Sequence, residues 1–563
     1  MSRSPRGRAE RTTTGTPGAS GSVLGSTAVM ASGTVVSRLT GFVRNALLVA
    51  ALGNGLHADV FNIANTIPNM LYILLAGGVF NAVLVPQLVR AQRRDADGGD
   101  AYTSRMITLT ALFLGVASAV LVVTAPWVMH IFLDGSYFQP ACSGPRESVF
   151  TFARYCLPQV FFYGMFVLVG QVLNARGSFG PMMWAPIANN VVAIGVLGGY
   201  LATYGTRTGS YSGGEQLLLG LGSTAGIALQ LLVLVPFLRS AGFHYRPRFD
   251  FRHTGLGHTL RLGIWTVLFV VVNQIAYTIV VRVASSGTAQ AAGGCGGAGH
   301  GAGYTVYSFS FLLVMVPHSV ITVSLATAVL PRLSGRAAEG DLRGVGTGIA
   351  STLRTSLAVV LPLMALLPVI APDAANLVYG YGAGAQTSAA FVPTMSLFAL
   401  ALVFFTTHYL MLRGFYALEQ TRRVFLIQCA VAATNIVLAL VLARGASSSQ
   451  VAPRLVVAYT AAYVVGAMLS ALQLSGAVGG LDGGRTLRFL VRMVITVGVA
   501  TGLAWLTGQG IGSVLSGTDK AEVLARLVVT GLVDVVVVLV LARLLRIREV
   551  TEVTTLLRRR LAG

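Results

Sequence analysis

Apolar residues run along this chain in blocks of membrane-crossing length, separated by short polar stretches. Hydropathy predicts fourteen helices, roughly 26–52, 58–89, 106–130, 151–174, 184–206, 216–240, 258–284, 302–331, 346–371, 390–412, 424–443, 454–478, 490–510 and 522–543. These blocks approach or exceed the run of about 20 apolar residues needed to cross a bilayer. The pattern predicts an all-α polytopic membrane protein. Residues 1–25 are basic and polar. The apolar block that follows is too long for a signal peptide and lacks a small-residue cleavage pattern, so a disordered cytoplasmic tail is expected.

The blocks also repeat. AVLVPQL, with Pro86, recurs as AVLPRL, with Pro331, and Pro126 and Ala175 find counterparts in Pro372 and Ala417, at offsets of 245, 246 and 242. Three pairs at nearly one spacing predict two six-helix repeats: an N-lobe over 26–240 and a C-lobe over 258–478, joined by a cytoplasmic linker at 241–257. An even helix number keeps the repeats parallel, as in many alternating-access transporters, with a ligand site between the lobes. Residues 479–563 add two further helices and a basic cytoplasmic tail.

Only 10% of residues are charged, against about a quarter in soluble domains. The net charge of +21 could suggest nucleic acid, but the basic residues sit in clusters between the apolar blocks. With a cytoplasmic amino terminus, 29 of the 40 basic residues fall on the cytoplasmic side and 5 in outer loops. That asymmetry follows the positive-inside rule and places both termini in the cytoplasm; no nucleic-acid partner is expected. Of the four cysteines, Cys156 and Cys429 fall in apolar blocks, while Cys142 and Cys295 fall in outer loops. No metal-ligand spacing is present. A Cys142–Cys295 bond would tie the two repeats together across the outer face; two unpaired loop thiols are the simpler expectation.

Candidate chemistry concentrates in the first two helices. Arg38 lies roughly 18 Å along the helix from Ser26, too deep to snorkel easily, and a cation there calls for a cavity or a partner. Arg44 lies nearer the far end; a straight helix sets the two about 120° apart, so both face one cavity only if the helix bends at Gly41, which packing could equally explain. The planar guanidinium fork suits a membrane-buried diphosphate. Asp59 could pair with one of these arginines, gate the site from outside, or simply begin a helix in solvent. Arg282 is expected to snorkel, or to add a cation from the second repeat. Asn189, Asn190, Asn273, Gln274 and Asn435 suit interhelical hydrogen bonds or contacts to a sugar. Asp534 is expected to pair with Arg526, and His318 and His408 to pack in the core. Neither catalytic nor nucleotide-binding motifs occur, so no cofactor is expected and transport would draw on a coupling ion, the membrane potential or the substrate gradient.

SRLTGFVRNALLVAALGNGLHADVFNIANTIPN, VLNARGSFGPMMWAP, FHYRPRFDFRH, VPHSVITVSLATAVLPRLS and LRGFYALEQTR resemble the MurJ (MviN) lipid II flippases of the multidrug/oligosaccharidyl-lipid/polysaccharide exporter superfamily. The resemblance implies fourteen helices and transfer of undecaprenyl-diphosphate-linked peptidoglycan precursor to the outer leaflet for cell-wall synthesis. It assigns Arg38 and Arg44 to the diphosphate and Asp59 to the cavity or its gate, with Ser37, Gly41 and Asn69 in the same motif and Tyr72 three residues beyond it. It further implies membrane lipids and cell-wall synthesis proteins as partners, and a groove for the lipid tail on the last two helices. The sequence departs from the family at Tyr72 and Leu312, where arginines are usual, and at Gly77, where an acid is. The missing arginines and the arginine-rich cytoplasmic loops motivate one rival, a non-transporting scaffold of the cell-wall machinery; a second, an ion-coupled exporter of small molecules, predicts an acidic cavity, whereas the visible cavity charge is positive.

Overall fold

The computed structural model describes residues 18–75, 85–94, 97–206, 209–250, 256–291, 295, 301–514, 517 and 519–551. The N-terminal half comprises α1 (Gly18–Leu52), α2 (Leu56–Ile73), α3 (Val85–Arg94), α4 (Asp100–Val123), α5 (Ala125–Phe132), α6 (Ser143–Cys156), α7 (Gln159–Ala175), α8 (Gly180–Tyr204), α9 (Gly213–Leu232) and α10 (Val235–Ser240). The C-terminal half comprises α11 (Leu256–Ala291), α12 (Tyr304–Pro317), α13 (Val323–Ala338), α14 (Leu342–Tyr379), α15 (Phe391–Ala417), α16 (Thr421–Ala443), α17 (Val451–Val478), α18 (Gly483–Val514) and α19 (Lys520–Leu544). Thirteen helical segments among the described residues are long and apolar enough to cross a membrane. The protein is a multi-pass membrane protein of helices, with no strand among the described residues.

Prolines explain where predicted helices divide. The third splits at Thr124 before Pro126, the fourth at Leu157–Pro158, and the sixth ahead of Pro236; each following helix carries proline at or just before its first turn, where a missing N–H does no harm. The eighth runs from α12 through a π-turn at His318–Thr322 into α13. α1 begins at Gly18, eight residues ahead of the expected boundary. The first seventeen residues, the end of the chain and Gly77 lie outside the described residues.

The buried apolar core falls into three clusters. One joins both halves, running from Leu48, Ala58 and Phe152 to Val281, Tyr379 and Phe398. A second belongs to the C-terminal half, around Leu353, Phe415 and Met493, and a third to the N-terminal half, around Leu114, Phe166 and Phe243. The halves are therefore fused at the end of the molecule where the arginine-poor loops lie. At the arginine-rich end each half has its own core.

The fused end carries a covalent link as well: Cys142 and Cys295 form a disulfide. The expectation of two separate thiols is thus corrected. The sequence places both cysteines in outer loops but cannot choose between the bond and two free thiols, because packing of the two halves is what brings together residues 153 apart in sequence.

Candidate functional site

α2 carries Asn62, Asn65, Thr66 and Asn69 at helical spacing, a polar stripe along an otherwise apolar helix. This stripe lines a cavity of about 660 Å³ between the halves. Ten carboxamides line it: Asn45, Asn62, Asn65, Asn69, Gln159 and Asn189 from the N-terminal half, Asn273, Gln274, Gln428 and Asn435 from the C-terminal half. Among the described lining residues Arg44 is the one charged side chain, and tyrosines such as Tyr163, Tyr277, Tyr459 and Tyr463 supply apolar faces.

The arginine has no acid of its own. Its Nε and Nη2 each lie 3.4 Å from Oδ1 of the adjacent Asn45, and it takes part in no salt bridge among the described residues. Several amides are engaged with one another. Gln159 donates to Asn65 and Ser223, Gln428 donates to Asn273, and Gln274 donates across the halves to the Met70 carbonyl. The Asn435 carboxamide oxygen is buried without a partner.

Above the cavity the halves close on one another through Asp59. Its carboxylate is fully buried and accepts from the Tyr304 N–H at 3.0 Å, the Thr305 N–H at 2.7 Å and the Thr288 hydroxyl at 2.7 Å. An acid of the N-terminal half thus caps the first turn of α12 in the other half, where unpaired N–H groups and the helix dipole favour negative charge. A Cβ on Gly303 would stand 2.2 Å from Asp59 Oδ2, so the approach requires glycine there. The seam continues in Asn62 donating to the Thr305 hydroxyl, and in a hydroxyl chain from Thr66 through Tyr304 to Tyr277. Nearby, Asn54 donates to the Thr387 carbonyl, and the end of α1 presses on Gly382 and Gly384.

Other sequence candidates fall elsewhere. Arg38 is exposed and outside the cavity lining, because α1 runs unbroken and the 120° offset from Arg44 is retained. Gly41 is a packing position: it faces Asn190, whose amide donates to the Ser37 carbonyl and the Thr40 hydroxyl. Ser37 and Gly41 therefore belong to the α1–α8 seam. Arg282 donates to the His130 carbonyl at 3.0 Å, closing the C-terminal end of α5 rather than adding a cation to the cavity. Asn69 lines the cavity; Tyr72 lies outside the lining, its ring 4.9 Å from that of Tyr163. Leu312 is exposed to the cavity. Arg526 pairs with Asp373 at 2.7 Å, not with Asp534, whose Oδ1 is buried without a partner.

Comparison with known proteins turns on residues 48–512, which match the profile of the lipid II flippase MurJ family. The chain belongs to that family. Among curated relatives, a probable lipid II flippase MurJ of Rhizobium meliloti is 24% identical over 77% of both chains, and the lipid II flippase MurJ of Burkholderia cenocepacia is 26% identical over 69% of this chain and 72% of its own. A probable lipid II flippase MurJ of Haemophilus influenzae is 30% identical, but this chain spans about half of it (49%). In fold the chain resembles a lipid II flippase MurJ solved in an inward closed conformation, with TM-score 0.70 and 17% identity over 91% of this chain and 98% of that one. A multidrug resistance MATE family transporter of the MOP superfamily, inward-facing, shares the fold more distantly, at TM-score 0.59 and 14% identity over 78% and 95%.

Proposed function

We propose that this protein carries lipid II, a polyprenyl-diphosphate-linked peptidoglycan precursor, from the cytoplasmic to the outer leaflet of the bacterial cytoplasmic membrane by alternating access. In this reading the arginine-rich end faces the cytoplasm, with both termini there, and the two six-helix repeats are the rocking lobes. The observation that carries it is one guanidinium, Arg44, with no salt bridge among the described residues, set among ten carboxamides in a hollow between the halves. A diphosphate meets the planar fork of Arg44, and sugars and peptide meet the amides and tyrosine faces. Because no acid among the described residues neutralises Arg44, an anion competes there only with the neutral Asn45 amide.

The closed seam above the cavity is the outer gate of an inward-facing state. Asp59 holds it shut through the α12 N-terminus, and opening to the outside requires those hydrogen bonds to be given up. The energy for cycling comes from an ion gradient, the membrane potential or the substrate gradient.

The test is reconstitution in vesicles with labelled lipid II, scoring movement by protection of the headgroup from an external reagent. Wild type is expected to move it; Arg44→Ala is expected to lose at least tenfold in rate, since a charge-assisted hydrogen bond contributes about 1.5–3 kcal/mol, and Arg44→Lys to recover part. Folded wild type that moves nothing would leave the scaffold reading, and Arg44→Ala at wild-type rate would remove the diphosphate from Arg44.

A further inference from the structure

A second concentration of charge lies far in sequence from the cavity. Arg485, Arg488 and Arg492 stand on α18 at positions i, i+3 and i+7, hence on one side of the helix. Arg546 and Arg548 reach the same hollow from the turn that ends α19, and the five surround a space of about 250 Å³. Its floor is apolar, made by Phe489 and Ile547, 4% and 2% exposed, which anchor both elements in the core of the C-terminal half.

Two features set this hollow apart from a snorkelling fringe. The one acid in its lining, Glu549, is taken by Arg354, which sits behind it, 2% exposed, at 3.1 Å from Glu549 Oε1 and 3.4 Å from Asp482 Oδ2. None of the five lining arginines forms a salt bridge among the described residues. The turn that delivers Arg546 is also unusual. It closes with Ile547 N–H bonded to the Ala542 carbonyl at 2.8 Å and Arg546 N–H to Arg543 at 3.1 Å, and Arg546 itself adopts φ +54°, a position glycine normally fills. An arginine there accepts backbone strain to place its side chain on the hollow.

Along the arginine side of α18 the following turns carry an apolar row, Ile495, Val499, Leu503 and Leu506, all exposed, and α19 exposes Val536, Val540 and Leu544. In a membrane protein such a surface meets acyl chains. We propose that the five arginines form a headgroup site for an anionic phospholipid of the adjacent leaflet, the phosphodiester held among guanidinium groups and the acyl chains lying along α18 and α19. Clustered arginines at the membrane end of a helix attract anionic headgroups, and Arg geometry suits phosphate oxygens. The site is separate from the cavity, and its readout is lipid retention, so it stands or falls independently of lipid II movement.

The test uses the full chain purified in detergent, with bound lipid counted by native mass spectrometry after addition of phosphatidylglycerol, phosphatidylcholine or phosphatidylglycerol with equimolar inorganic phosphate. Wild type is expected to retain phosphatidylglycerol in preference to phosphatidylcholine, undisturbed by phosphate. The Arg485→Gln/Arg488→Gln/Arg492→Gln variant is expected to weaken retention about tenfold or more, its lysine counterpart to restore much of it, and Arg239→Gln/Arg332→Gln/Arg343→Gln, which removes equal charge elsewhere, to leave it unchanged. Should the triple variant not fold, Arg546→Gln/Arg548→Gln serves in its place with the same expectation. Equal retention of phosphatidylcholine, unchanged retention by the hollow variants, equal loss in the Arg239/Arg332/Arg343 variant, or displacement by inorganic phosphate would overturn the proposal.

Discussion

At the scale of single residues, the most constrained contact is Asp59 against the start of α12. Its three hydrogen bonds replace water around a buried carboxylate, and Gly303 leaves room for them. Asp59→Asn keeps the shape but removes the charge, forfeiting about 1.5–3 kcal/mol of charge-assisted bonding. Gly303→Ala pushes a methyl into the carboxylate. Both are expected to speed amide exchange at Tyr304 and Thr305 by tenfold or more relative to wild type; exchange at the wild-type rate in both would mean that Asp59 does not hold the seam. Asp59 stood out in the sequence as a charge beside an apolar block, yet its partners did not, because two of them are backbone N–H groups, which leave no mark on residue identity. Of the Asn62, Asn65, Asn69 stripe only Asn69 is singled out in the sequence, although the i, i+3, i+7 spacing places all three on one helix face. Asn45, Gln159 and Gln428 carry no such mark, since a lone amide in an apolar helix looks the same whether it faces a cavity or a neighbouring helix.

Among elements, helix existence and order followed directly from apolar block length, and most blocks became helices close to their expected positions. What hydropathy misses is how a helix is interrupted, because a proline at a first turn and a proline within a helix have the same hydropathy. The segment from Tyr245 to Asp250, which leads into the second half, shows a further device: Arg105 of α4 pairs with Asp250, the Tyr245 and Thr108 hydroxyls are 2.9 Å apart, and the Arg248 N–H donates to Thr108 at 3.2 Å. The segment is strapped to α4. The Arg105 guanidinium holds the Asp250 carboxyl below its ordinary pKa, so the strap is complete above the usual carboxylate range of about 4 and is lost as pH falls through the lowered value. Protease nicking within 245–250 is therefore expected to rise on acidification below about pH 4 in wild type, and to be already high and less pH-dependent in Arg105→Gln. A pH response identical in both would remove the ion pair from the strap.

For the molecule as a whole, the three-part core is the decisive arrangement: a common cluster at one end, separate ones at the other. Alternating access in such a body means parting the common cluster while the separate ones approach. The disulfide sits at that parting line. With distance reporters on non-canonical residues at Gln139 and Ser447, the longest separations reached during turnover are expected to grow in the Cys142→Ser/Cys295→Ser variant; an unchanged distribution would show that the bond imposes no limit.

That limit has a size. Cys295 is fastened to the first half, while α11 of the second ends at Ala291, four residues earlier, and Ala302, seven residues later, is hydrogen-bonded to Ser448 and Ala452 of the second. The shorter arm governs, and four residues drawn straight reach about 14 Å, so the bond is a short leash: it leaves some play between the two shells and keeps them from swinging widely apart.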